Sequence, residues 1–404
     1  MNFREVLRIP SLRRLWLAQI VSIFGDFLAI LAVFSVVTFK LHANATQVSL
    51  VLVAYLVPLA LVGPVAGVFV DRWDVRRTMI ASDLIRAVLA LLLLFVTNLN
   101  QFYLIFLALS TVSSFFMPAQ AITIRTLAPQ AGLMSANALM FQAVQVMQIV
   151  SPFIAGALVA FVGAASCFWI DAFSFLFSAG MVFTVAIQRE MAAPVAATGQ
   201  SKLRSLVGSM SEGMKFILTH GAISFVIISM TAGMFAIRCF GALIAVYVRD
   251  VLSAGTVLFG ALSSLVGVGM IVGTQLINKF GRTRSKKHMV VAGLLGIGLA
   301  ILEVAAFSSV VTTVIGMVGV GFGVAFIMVP AQTLLQEETP KAMLGRVSSS
   351  MMSVLAIAQV LAMVVAGPVA QRVGIRDLYF ASGLLLLLIA GAGYFRLRKP
   401  AVNA

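Results

Sequence analysis

Charge is scarce in this chain. Only 10% of its 404 residues are charged, and 13 of them are acidic. Soluble domains carry roughly 25% charged residues, so a water-facing surface over the whole molecule is excluded. Cysteine is rarer still. Cys167 and Cys239 both sit inside apolar runs, which rules out a disulfide framework or a cysteine metal site. The three histidines, His42, His220 and His288, lie apart near the ends of apolar runs and form no ligand cluster. The chain has no Gly-x-x-x-x-Gly-Lys phosphate loop, so ATP is not expected to drive it. With no Ser/His/Asp set either, nothing points to an enzyme, and no cofactor or metal is expected.

What the chain has is apolar length. It is 61% hydrophobic with a mean hydropathy of +1.09, the composition of a polytopic membrane protein. A bilayer-crossing helix needs about 20 apolar residues. Twelve such runs can be laid along the sequence, the first over roughly 15–39 and the last over roughly 378–395. The basic start and first apolar run mimic a signal peptide, but the run is too long and lacks a clear small-residue cleavage site, so it reads as a retained helix. Before it, Phe3, Val6, Leu7 and Ile9 interleave with Arg4, Glu5 and Arg8, the pattern of a helix lying in the inner interface.

The net charge of +15 would suggest nucleic acid, but the basic residues stand where topology signals belong, and no nucleic-acid partner is expected. With the amino terminus inside, 22 of the 28 Lys and Arg fall in cytoplasmic segments. Both termini are therefore expected in the cytoplasm. Lys40, Arg249, Arg372 and Arg376 go outside, and Arg86 and Arg238 remain within spans.

Polarity rises across residues 188–221, with Pro194 and Gly199 and a helical period over 201–218. This marks a cytoplasmic linker between two halves, 1–187 and 222–404. The halves repeat. Pro118-Ala119-Gln120 and Pro330-Ala331-Gln332 lie 212 positions apart, as do Asp26 and Arg238. Asp71 and Asn278 lie 207 apart, so the copies have gained and lost residues.

The second and third spans are joined by Gly67-Val68-Phe69-Val70-Asp71-Arg72-Trp73-Asp74-Val75-Arg76-Arg77. Gly67 permits close helix approach, and Asp71 ends one helix near the positive end of the next. Nine residues past Arg77, Arg86 stands one turn from Asp83, an ion pair expected to stitch the inner end of the third span to the loop. The loop resembles the signature loop of the major facilitator superfamily, Gly-x-x-x-Asp-Arg-x-Gly-x-Arg-Arg. Gly67, Asp71, Arg72, Arg76 and Arg77 match, while Asp74 replaces the second glycine. Ser151-Pro152-Phe153-Ile154-Ala155-Gly156 is similar to the family's antiporter motif, Gly-Pro-x-x-Gly-Gly. Trp169 to Phe175 and Gly345 to Ser348 add to the likeness with the macrolide-efflux branch.

The resemblance implies an all-α fold of twelve transmembrane helices in two pseudo-symmetric six-helix bundles. It implies a multi-pass monomer of the bacterial cytoplasmic (inner) membrane, whose halves rock about a midplane site. Its implied partners are the lipid bilayer, protons and a small amphipathic substrate. Export of drug-like compounds driven by inward proton flow is the first expectation. The others are export of a siderophore, movement of a lysophospholipid, and a non-transporting sensor.

Within that frame Asp26 stands out. An ionised side chain at mid-bilayer costs ~2.5–3.5 kcal/mol on insertion scales, so it survives facing a cavity, paired, or protonated. It reads either as a proton or substrate-cation site or as an ion pair locking the first helix to a neighbour. Arg238, at the matching depth of the seventh helix, reads as its counter-charge or as a ligand for an anionic substrate group. Gln142, Gln145 and Gln148 recur on one helix face and either line a wet cavity or bond between helices. Gln120, Gln332 and Asp171 complete the candidate cavity, with Asp171 also read as a gate or structural hydrogen bonder. For Ser151, Pro152 and Gly156, simple helix packing is the plainer alternative to a conformational role.

Overall fold

A computed structural model describes residues 1–187, 211–280, 285–340 and 343–398. The expected linker therefore lies mostly outside the described residues, as do positions 281–284 of the second charged loop and the tail beyond 398. Among the described residues there is no strand, and twelve helices are long and apolar enough to cross a membrane.

The spans are α1 (Pro10–Ser35), α2 (Ala45–Val70), α3 (Val75–Leu92), α4 (Leu99–Leu127), α5 (Leu133–Phe161), α6 (Ala164–Phe183), α7 (Gly221–Asp250), α8 (Thr256–Phe280), α9 (Lys286–Ala306), α10 (Val310–Glu338), α11 (Leu344–Val373) and α12 (Ile375–Arg398). Local chemistry sets several starts. Pro10 opens α1, where its missing N–H costs nothing. Asn44 and Gln47 form a reciprocal capping box at α2. Asn98 caps α4 by accepting from the Gln101 N–H at 3.1 Å. Arginines close other ends: Arg14 Nη1 donates to the Thr184 carbonyl at 2.8 Å after α6, and Arg376 Nε to the Ala305 carbonyl at 2.9 Å in the last turn of α9.

The chain divides into two compact units. One comprises 1–194 with 248–264, the other 195–247 with 265–404. In the first unit α6 packs on both α1 and α3, α5 packs on α1, and α4 packs on α2 and α3. In the second unit α9 packs on α10 and α12. Leu12, Leu15, Val70, Met79, Phe116 and Val182 share one buried cluster in the first unit.

The repeat is deeper than the apolar pattern shows. Gly163 (φ +106°) turns the chain between α5 and α6, and Gly374 (φ +98°), 211 positions later, turns it between α11 and α12. A side chain at either would be strained in this backbone region. Each half also begins with a short helix that lies against its own unit. The helix Phe3–Arg8 buries Val6, and the Met1 carbonyl accepts from Ser135 Oγ at 2.7 Å. The helix 211–219 buries Ile217, 211 positions after Val6, and Glu212 pairs with Arg346. Both contacts span 134 residues. Val6 of this first helix packs with Leu12, Leu15, Ala136 and Leu139, while Phe3 is exposed.

Candidate functional site

Four charged residues from three helices meet inside the first unit. Arg86 on α3 is 4% exposed and is ion-paired with Asp83, one turn earlier. Its guanidinium lies 4.3 Å from the Phe116 ring centroid and 4.4 Å from that of Phe175. Stacked aromatic faces favour a desolvated cation, by roughly 0.5–2 kcal/mol each. Arg86 Nη1 also approaches Asp26 Oδ2 of α1 at 4.0 Å. Asp171 of α6 interacts electrostatically with both Asp26 and Arg86, as does Tyr55 of α2.

A glycine makes this convergence possible. Gly25 precedes Asp26, and a Cβ there would overlap Ser174 Oγ and lie 2.8 Å from Asp171 Oδ1 and 2.9 Å from Asp171 Cα. Only a residue without a side chain lets α1 approach α6 this closely. The spacing of Asp83 and Arg86 predicts their pairing. The structure places the pair deeper than the loop, however. Arg86 is eleven residues into α3, or ~16 Å along it at ~1.5 Å per residue, and it joins three helices rather than fastening the helix to its turn.

The carboxyls differ in access. The Asp26 side chain is 31% exposed, whereas Asp83 and Asp171 are buried. Asp171 Oδ1 and Arg86 Nε have no hydrogen-bond partner within the protein. The arrangement gathers three carboxyls around a single permanent cation.

Elsewhere the predicted residues take separate places. Arg238 lies in the second unit and donates from Nε to Gln359 Oε1 at 2.7 Å. Gln120 donates to Gln19. Gln359 and Gln19 escaped the sequence reading, although Gln359 follows Gln148 by the 211-residue repeat distance and could have been found that way. Gln142 and Gln148 are exposed and Gln145 half-buried; Gln332 is exposed. In the signature loop the helix cap is Asp74, whose Oδ1 accepts from the Arg77 N–H at 3.0 Å. Asp71 closes α2 and Gly67 meets open space. Arg76 donates to the Phe183 carbonyl and lies 5.0 Å over the Phe183 ring, so the loop holds the end of α6. Arg72 and Arg77 are exposed. Ser151 and Pro152 are buried in α5, and Gly156 meets Gly260 within the first unit, where an added Cβ would lie 2.9 Å from the Gly260 Cα.

The family profile described as the Major Facilitator Superfamily matches residues 15–362. The chain belongs to the major facilitator superfamily. It is thus a membrane transport protein and not an enzyme. It is 27% identical over 386 residues to an uncharacterized transporter of this type, YfiS of Bacillus subtilis (strain 168), covering 94% of this chain and 91% of that one. Macrolide efflux protein A of Streptococcus pyogenes is 25% identical over 383 residues, 93% of each chain. The multidrug efflux pump Tap of Mycolicibacterium fortuitum is 26% identical over 373 residues, 89% of each. Among solved structures, the nucleoside transporter NupG superposes with a TM-score of 0.74 at 14% identity, covering 96% of this chain and 100% of that one. A bacterial homologue of the lysosomal transporter Spinster gives 0.67 at 15%, covering 96% of each chain. At such identities these structures establish the fold: an all-α membrane protein of twelve helices in two pseudo-symmetric bundles.

Proposed function

We propose that this transporter is a proton-coupled exporter of amphipathic, drug-like compounds, an antiporter working by alternating access. The observation that carries the reading is Asp26: a partly open carboxyl in the middle of α1, 4.0 Å from a guanidinium buried between two rings. A membrane-embedded ionisable group with one face open marks an ion or substrate path. Relatives named for macrolide and multidrug efflux favour outward movement of such compounds. The halves 1–187 and 222–404 would rock about the linker 188–221, with both termini cytoplasmic, as a monomer in the bacterial cytoplasmic membrane. Gly67, Asp71, Arg72, Arg76 and Arg77 would control the cytoplasmic side, Ser151, Pro152 and Gly156 the antiporter bend. Gln120, Gln142, Gln145, Gln148 and Gln332 would meet the compound.

A second reading, export of an anionic siderophore or transfer of a lysophospholipid, draws on Arg238, a cation in the second unit oriented by Gln359. A sensor role has no such support. Substrate-induced pH change in proteoliposomes, run across a panel of drug-like cations, siderophores and lysophospholipids, separates the readings. Asp26→Asn should fold yet lose proton-linked export; undiminished export rejects the role given to Asp26.

A further inference from the structure

The cluster holds one more titratable group than a single-carboxyl mechanism uses. Arg86 is paired directly with Asp83 and lies 4.0 Å from Asp26, so a single positive charge serves more than one carboxyl. Asp26 and Asp171 then remain as two carboxyls beside one guanidinium that Asp83 already engages. With all four groups ionised the cluster carries a charge of −2, and uncompensated charge in a dry interior is strongly unfavourable. The groups that act on Asp171 are Asp26 on α1, Tyr55 on α2, Arg86 on α3 with its partner Asp83 behind it, and Cys167 and Ser174 on its own helix. Among these, Arg86 is the sole cation.

The geometry points to Asp171 as a second proton-binding carboxyl, loaded through Asp26, with Arg86 as the fixed cation that both share. Three observations support it. Asp171 Oδ1 is buried without a hydrogen-bond partner while the residue is 1% exposed. Asp26, by contrast, is 31% exposed, which makes it the more open of the two carboxyls and the one through which a proton would enter. Gly25 brings the α1 backbone against that same Oδ1, so the helices that carry the two carboxyls are held close at this level. In the transfer the O–H bond at Asp26 breaks and one forms at Asp171 Oδ1. Asp26 is left ionised beside Arg86, and no electrons change hands. The cluster thereby stores a proton away from the opening that admitted it.

This deepens the antiport reading but is tested without any transported compound. Infrared difference spectra of the purified full chain in lipid nanodiscs, recorded between acid and alkaline buffer, report protonated carboxyl C=O groups. Exchange into deuterium oxide should resolve two populations, a fast one from Asp26 and a slow one from Asp171. Asp171→Asn should remove the slow band and lower the proton release of the cluster about twofold; Asp171→Glu should displace that band and keep the count. A single fast population in the unmodified protein, or a slow band untouched in Asp171→Asn, overturns the inference. Failure of every compound to move protons would instead defeat the antiport reading, and would leave the carboxyl count standing.

Discussion

Gly25 is the residue on which the charged cluster geometrically depends, and Gly25→Ala tests it. In a helix interior the exchange by itself gains about 0.8–1 kcal/mol of backbone propensity. Here the new methyl would meet Asp171 Cα at 2.9 Å, a backbone atom of a packed helix that cannot swing away. Reaching ordinary carbon contact near 3.4–4 Å requires a displacement of at least about half an ångström between α1 and α6. Ser174 Oγ, which the added Cβ would overlap, already donates to the Asp171 carbonyl at 2.7 Å, so its rotation sacrifices a buried hydrogen bond. Overpacking of this kind destabilises by about 1–3 kcal/mol.

Gly180 supplies the control. It lies on α6 with nothing within 4 Å of an added Cβ, so Gly180→Ala takes the propensity gain alone. The difference between the two variants isolates the contact and should be about 1–3 kcal/mol, or roughly 5- to 150-fold in the unfolding equilibrium. A thiol-reactive dye reads it, since Cys167 and Cys239 are both buried and become reactive on unfolding. Indistinguishable melting of Gly25→Ala and Gly180→Ala would show that α1 and α6 do not approach at this point, and the cluster would have to be redrawn.

Other perturbations bear on the same frame. Arg86→Gln removes the one cation and leaves Asp83 buried without its partner, which should destabilise by about 3–5 kcal/mol; thermal unfolding in alkaline buffer should show the full loss, and acid buffer, by protonating the stranded carboxylates, a smaller one. Equal loss at both would argue against charge as the cause. Gly213→Val drives a side chain toward the Arg346 carbonyl, 2.5 Å from the Cβ position, and should lift the helix 211–219 from α11. Ile217→Cys, buried at 3% exposure, should then label with an impermeant maleimide at least tenfold faster than without Gly213→Val. Unchanged labelling would mean that the helix is held by other contacts.

The number of spans could be read from the chain because length and hydropathy are properties of each segment alone. Pairing within a helix was equally legible, since Asp83 and Arg86 sit one turn apart whatever surrounds them. Pairing between helices was not. Most faces of α1, α3 and α6 are apolar, so hydropathy gives no rotational phase, and nothing in composition says that Asp26 meets Arg86. The usable signal was Gly25, a glycine next to an intramembrane acid, together with the two phenylalanines that enclose the arginine. In the signature loop Asp71 ends α2 as its sequence position suggests. Asp71 occupies the family position, but Asp74, the departure from the motif, has the β-region backbone and the side-chain geometry to cap α3.

The repeat shows what stands in the second half where the first holds its buried charged groups. Positions 211 after Asp83, Arg86 and Asp171 hold Leu294, Ile297 and Ser382. Ala87 and Ala172, which share a small buried cluster with Phe175 beside the arginine, correspond to Gly298 and Gly383. In the second unit those glycines bring α9 and α12 into backbone contact, with a Cβ on Gly298 falling 3.0 Å from the Gly383 carbonyl. The same seam is thus occupied by a clamped cation and three carboxyls in one half and by glycine packing in the other. Among the described residues every buried charged side chain, Asp83, Arg86 and Asp171, belongs to the first unit. Arg238, the repeat mate of Asp26, meets a neutral amide instead of a carboxylate. The neutral amide accepts its hydrogen bond without cancelling its positive charge, whereas the cation of the first unit is held by a carboxylate.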